Sequence, residues 1–383
     1  MMLVLLVTVV AGPLRQSSGT ESPAPPAPPP HRSPALVAAG PADLAARYAG
    51  AIRKINETHA RRPGKRREEE LAKALPRGAL RCLEELIALP AGTDGAEALL
   101  ACGEAALELD RMEDFAQVRG RLLETAPDLA RRLGVALSRP RVQIRGLGGL
   151  DHGYLEGFAV VFEAILAGYD ELFGFAEWSK VPGKKLRVRL HLEEKITRPP
   201  HFAPQYPFHS EIDFPVVDGQ ALRSPTAQGQ FLFYGLCHEL GHVIAMWGDR
   251  RNEEDHHAWA HYTGVLLVEH LTRKLRDRPF MRGLRDHRWR SLTKLRGELK
   301  ETEPSLQSRE GVLAMLLALH DAAGSRAIGK ALNLLDAGNK ARRIHRVRYY
   351  RFAQLRDALL VTLKKQKRRR MAVRQIFAAA GMR

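Results

Sequence analysis

The sequence predicts an α+β protein, and three observations predict it. From Asp43 to about Val135, apolar residues recur at helical spacing and nothing alternates as a strand would. Between Tyr154 and Leu271 the pattern changes to helix, strand, second strand and two further helices. From Arg273 onward it returns to basic, amphipathic stretches of helical period. With 383 residues and 45% hydrophobic composition, the chain is long enough for a sizeable core spread over two or three domains.

Taken in order, Met1 to Gly12 reads MMLVLLVTVVAG. Its apolar centre is short for a membrane span and suits the core of an export signal, although a basic flank and a clean small-x-small cleavage site are missing. The expectation is a signal segment over residues 1–15 and an exported or cell-envelope protein, or a cytoplasmic one if the segment is not a signal. No other stretch has the length of a transmembrane span. Residues 16–42 carry SSGTESPAPPAPPPHRSPALVAAGPA. Proline at that density cannot pack a core and favours an extended, disordered tether.

The helical region, 43–137, places Leu80, Leu83, Leu86 and Ile87, then Leu99, Leu100, Ala106 and Leu107, then Phe115, Val118, Leu122 and Leu123 at helical spacing. Pro90, Gly92, Gly95 and Pro127 punctuate it. Ala96 to Asp128 looks like one tetratricopeptide-style hairpin, with Gly103 and Pro127 at the packing-glycine and terminal-proline positions. A single unit reads better as a helical cap on the main domain than as a docking array.

Three cysteines, Cys82, Cys102 and Cys237, make no disulfide framework. Cys82 and Cys102 could pair in an oxidising compartment, whereas Cys237 is expected to be a buried small hydrophobe. The net charge of +17 suits nucleic acid, acidic polymers or anionic lipid. Arginine and alanine are both abundant, as base composition alone can produce, and no nucleic-acid fold signature is present. The basic runs, such as Lys364 to Arg370, are therefore expected to be solvated faces, and no specific nucleic-acid partner is expected.

From residue 138 the elements become specific. Tyr154 to Phe173 is an amphipathic helix with Leu155, Phe158, Phe162, Ile165, Leu166, Tyr169 and Leu172 on one stripe. Leu186, Val188, Leu190 and Leu192 alternate with Arg187, Arg189 and His191, the mark of a half-buried strand. A proline-rich loop follows from Pro199 to Pro207. Glu211 to Val217 reads as a second strand, which Pro215 demotes to an edge. Ser224-Pro225 opens the next helix as cap and first-turn proline.

That helix contains FLFYGLCHELGHVIAMW, Phe231 to Trp247. It is apolar on nearly every side except at His238, Glu239 and His242. Ionisable groups in such a setting are costly unless something offsets them. Histidines four apart stack on one helical face, where a zinc ion can take both imidazoles and Glu239 can serve as general base towards a bound water. A chance match would leave two core histidines satisfied by backbone carbonyls. The apolar context favours metal.

The order helix, strand, edge strand, HExxH helix resembles the upper subdomain of the thermolysin-like zincins, or gluzincins, over roughly Leu150 to Leu271. The resemblance implies a zincin-like domain over 138–271 with a small mixed sheet. A mostly helical C-terminal subdomain, 272–383, would close the other side of the cleft. It also implies that an extended peptide substrate pairs with the sheet edge, here Ile212 to Val216.

A catalytic zinc needs three protein ligands and an open position. In relatives the next helix carries E-G-W-A-x-Y, whose glutamate binds the metal. The best match here is His257-Ala258-Trp259-Ala260-His261-Tyr262. His257 stands where that glutamate should be, and Glu254 lies one turn earlier on the same face. His257 and Glu254 are therefore rival third ligands, with Glu253 and Asp255 behind them. Candidate transition-state stabilisers are His261 and Tyr262 and, from the C-terminal region, His345, Tyr349 and Tyr350.

The expected function is hydrolysis of peptide bonds in a protein or peptide substrate by a metallopeptidase using one Zn2+ ion, with Glu239 as general base. The alternatives are a non-catalytic zincin-like scaffold whose helical region docks a partner, and a basic nucleic-acid-associated protein.

Overall fold

A stripe of Leu44, Tyr48, Ile52 and Asn56, four residues apart and all buried, turns one face of α1 (Pro41–Arg61) inward. The same logic forms α2 (Arg77–Ala88), α3 (Thr93–Glu108) and α4 (Met112–Thr125). Helix α5 (Pro127–Leu133) opens on Pro127, the residue read as the terminal proline of the hairpin, which stands here in the first turn. Helices α3 and α4 form one hairpin, and α1 packs against α2 and α3. The computed structural model describes residues 39–61, 75–90, 93–174, 185–193, 201–205, 209–216, 227–244, 246–247, 253–274, 291–337, 342–344 and 347–382. The signal segment, nearly all of the proline-rich tether, Ser224-Pro225 and His345 lie outside these residues.

A five-stranded mixed sheet follows, in the order β1-β2-β3-β5-β4. Strands β1 (Val135–Ser138) and β2 (Val142–Leu147) are an antiparallel pair. Helix α6 (His152–Phe173) crosses from β2 to the parallel β3 (Leu186–Leu192). The Asp151 carboxylate caps α6 by accepting the Tyr154 N–H at 2.7 Å, and Gly174 ends it in left-handed backbone, φ 69°. β5 (His209–Val216) lies parallel to β3, and β4 (His201–Gln205) runs antiparallel to β5.

The expected edge strand is thus displaced by one position. The segment read as a proline-rich loop supplies the edge, β4, and β5 is paired on both sides. Pro215 permits this for a physical reason. The Val216 carbonyl accepts from the Glu193 N–H at 2.8 Å, so the Pro215 nitrogen, one residue out of phase, faces away from β3. On that other side the β4 register ends at Asp213, so no ladder bond is lost. Strands β1 and β2 had no sequence signal strong enough to separate them from the helices before them.

The two sheet faces differ. Val142, Ile144, Leu186, Val188, Leu190, Ile212, Phe214 and Val216 are buried and belong to the main core with α6 and the helices that follow. The opposite face carries Gln143, Arg145, Arg187, Arg189, His191 and Asp213, alternating in register. The N-terminal helices meet that face through polar contacts. Asp110, in left-handed backbone between α3 and α4 with φ 57°, accepts from Ser138 at 2.8 Å, Gln143 at 2.8 Å and the Lys185 ammonium at 2.5 Å. The Arg187 guanidinium donates to the Glu108 carbonyl at 2.8 Å, and Arg145 to that of Leu133 at 3.1 Å.

Beyond the sheet come α7 (Ala227–Ile244), the short β6 (Met246–Trp247) and α8 (Glu253–Lys274). The C-terminal part is α9 (Leu292–Glu298), α10 (Arg309–Ala323), α11 (Ser325–Ala337), β7 (Arg342–Ile344), β8 (Val347–Tyr350), α12 (Phe352–Thr362) and α13 (Lys367–Ala379). β8 pairs parallel with β6 and antiparallel with β7, which ties this region to the end of α7. Helix α10 packs on α8 and α13, where Val373 and Phe377 are fully buried. Residues 40–383 form one compact unit, and its main core runs from Val135 to Ala380. Among the described residues, no single helix is long and apolar enough to cross a membrane. Lys364, Lys365, Lys367, Arg368 and Arg369 are exposed.

Candidate metal centre

Helices α7 and α8 cross closely because glycines stand at the crossing. A β-carbon on Gly241 would lie 2.4 Å from Thr263 Oγ1 and 2.7 Å from Ala260 Cα. One on Gly264 would lie 3.2 Å from the Cα and N of His238. Two aromatic donors hold α7 at the motif, one just before it and one within it. The Tyr169 hydroxyl of α6 donates to the Cys237 carbonyl at 2.7 Å, and Trp259 Nε1 of α8 donates to the Gly241 carbonyl at 3.0 Å. All four residues are buried. The carbonyls just before His238 and just before His242 are thus each held from a neighbouring helix, which limits how far either imidazole can shift. Edge strand β4 and its neighbour β5 pack against α7 from the sheet side.

This crossing brings His238, His242 and His257 together. Their ligand nitrogens all lie within 4.8 Å of one another. The rings of His238 and His242 meet edge to face with centroids 5.0 Å apart, as do those of His242 and His257 at 5.0 Å. Those of His238 and His257 stack at 5.9 Å. Burial is graded: His242 is buried, His238 half-buried and His257 exposed, so the trio opens to solvent at His257. Glu239 is buried on α7 directly after His238. Of the rival third ligands, His257 takes its place in the trio. The Glu254 side chain lies outside the described residues, as do those of Glu253 and Asp255.

The donor set fits zinc by its chemistry. Three neutral imidazoles are a recognised catalytic set with a fourth position left for water. Three nitrogens on one tetrahedral zinc would lie roughly 3.3–3.4 Å apart. The described nitrogens all lie within 4.8 Å of one another, a bound that includes that spacing.

The candidate stabilisers are either buried or lie outside the described residues. Tyr262 is fully buried and its hydroxyl lies 3.1 Å from His320 Nδ1 on α10. It tethers two helices. Burial raises its hydroxyl pKa well above the ordinary range. His261 is also buried, and its Nδ1 bonds the Tyr234 hydroxyl of α7. Tyr350 is buried, while the Tyr349 side chain lies outside the described residues. Tyr234 itself had not been singled out in the sequence. Its spacing, four residues before His238 on one face of α7, is the signal that could have found it.

The cysteines are all free and buried. Burial, with Cys82 nearby, pushes the Cys102 thiol up to about 12. Burial also raises the Cys237 thiol, as suits a small core residue.

No protein-family model matches the chain, and neither a curated protein nor a solved structure matches it significantly.

Proposed function

We propose that this protein is a zinc-dependent metallopeptidase of zincin-like build. The observation that carries the reading is the His238, His242 and His257 trio at the crossing of α7 and α8, with Glu239 beside it. Zinc held by the three imidazoles would supply a water of lowered pKa and a polarised substrate carbonyl. Glu239 would take the water proton and pass it to the leaving amine. Strand β4, the edge of the sheet among the described residues, packs against α7 and is where an extended peptide would add as a further strand.

The test is metal content of the purified protein together with chelator-sensitive cleavage of a mixed peptide library. Glu239→Gln should keep zinc and fold while losing at least about a hundredfold in hydrolysis, the scale of general-base catalysis. Cleavage by that variant at the wild-type rate sinks the mechanism. Zinc bound without any cleavage would favour the scaffold reading.

A further inference from the structure

Tyr234 lies between two imidazoles. Its hydroxyl is 3.4 Å from His238 Nδ1, one turn along α7, and it bonds His261 Nδ1 across the interface with α8. Tyr234 is 6% and His261 8% exposed, so bulk water offers little competition for these contacts. The Tyr234 ring packs edge-on against His261 at 5.7 Å and tilted against His238 at 5.9 Å. His261 does not belong to the trio.

We infer that Tyr234 is a positioning residue for the metal, and that the His238–Tyr234–His261 chain fixes which nitrogen of His238 is free to ligate. The inference rests on the trio being a metal site. A phenol has one proton to give and lone pairs to accept. With His238 Nδ1 facing the hydroxyl, the metal falls to Nε2. A ligating Nε2 carries no proton, so Nδ1 must carry it and donate to the Tyr234 oxygen. The tyrosine proton then goes to His261 Nδ1, and His261 carries its own proton on Nε2. Run the other way, with His261 Nδ1 donating, the chain would place a proton on His238 Nε2 and block the ligand lone pair. One of the two directions is therefore competent for metal, and the buried chain supports it as a unit. The device differs from a carboxylate partner in that it is neutral throughout. It orients the ring without adding negative charge beside the metal.

The experiment uses the full chain and Zn2+ as probe, in competition with a chromophoric chelator. Tyr234→Phe keeps the ring and removes the hydroxyl, and it should bind Zn2+ about 10- to 100-fold more weakly, the range for losing such a support. Nitrogen NMR of histidine-labelled, zinc-loaded wild type should show His238 protonated at Nδ1 and His261 at Nε2. This second readout does not depend on any variant folding, and a merely structural tyrosine would leave it unconstrained. Affinity of Tyr234→Phe within twofold of wild type, or a loaded His261 protonated at Nδ1, overturns the inference while the metal reading stands. A wild-type protein that binds no Zn2+ overturns both.

Discussion

Gly241 is one of the two unspecified positions between Glu239 and His242 in the motif, but its hydrogen side chain is required by the neighbouring helix. A methyl there would lie 2.4 Å from Thr263 Oγ1 and 2.7 Å from a backbone carbon of α8. Thr263 cannot easily yield, since its hydroxyl is buried and bonds the Trp259 and Ala260 carbonyls at 3.0 and 3.2 Å. Gly241→Ala should therefore push α7 from α8, cost about 1–3 kcal/mol or somewhat more as overpacking does, and weaken zinc binding with it. Helix propensity alone argues the opposite way, because alanine favours a helix interior over glycine by about 1 kcal/mol. Denaturant unfolding decides between them, and a stabilised variant would show that the crossing relaxes. His238, Glu239 and His242 were legible in the sequence because a five-residue spacing on one helix is local. The reason for Gly241, and the contact of Tyr234 with His261, was not, because each depends on what α8 brings opposite.

The link between α8 and α10 shows the same limit among elements. The sequence offered Tyr262 as a candidate for chemistry, whereas its hydroxyl meets His320 Nδ1 at 3.1 Å. Burial lowers the His320 pKa below its ordinary 6.5; nearby Asp321 and Glu269 oppose this shift and Arg296 adds to it. The neutral imidazole is thus the folded form. The unfolded chain binds a proton near pH 6.5 that the folded protein refuses, so stability from this contact is complete above that pH. It declines as pH falls from about 6.5 through the folded value, by no more than about 1.4 kcal/mol per pH unit for one proton. His320→Gln removes the titration. The stability advantage of wild type over this variant, from urea unfolding, should narrow between pH 7.5 and pH 5.5; an advantage that grows on acidification refutes the assignment. Other elements were legible to differing degrees. Strand β3 alternates cleanly, and its arginines and His191 lie on one face as expected. Strand β4 was hidden by Pro199 and Pro204, whose presence reads as a loop until a partner strand is found.

Across the whole molecule, the helical N-terminal region and the sheet are joined in a manner that composition cannot reveal. The main core from Val135 to Ala380 is apolar and continuous. Between α1–α5 and the sheet, by contrast, the described bonds include a cluster at Asp110, which draws Ser138, Gln143 and Lys185 to the turn between α3 and α4. The Asp110 and Lys185 side chains are only 10% and 13% exposed. Removing one charge therefore leaves the other half of the pair in a poorly solvated place, a loss on the order of 2–3 kcal/mol once some residual hydration is allowed for. Asparagine is the informative replacement, because it tolerates the left-handed backbone that alanine would resist. Polar interfaces of this kind open in cooperative units before an apolar core does. Asp110→Asn should therefore speed hydrogen exchange through α1 to α4 and leave the slowest amides of α6, α7 and α8 nearly unchanged, with zinc affinity retained. Equal acceleration in α6, α7 and α8 would mean that the helical region and the core that carries the histidine trio unfold as one, and that the polar seam is no boundary.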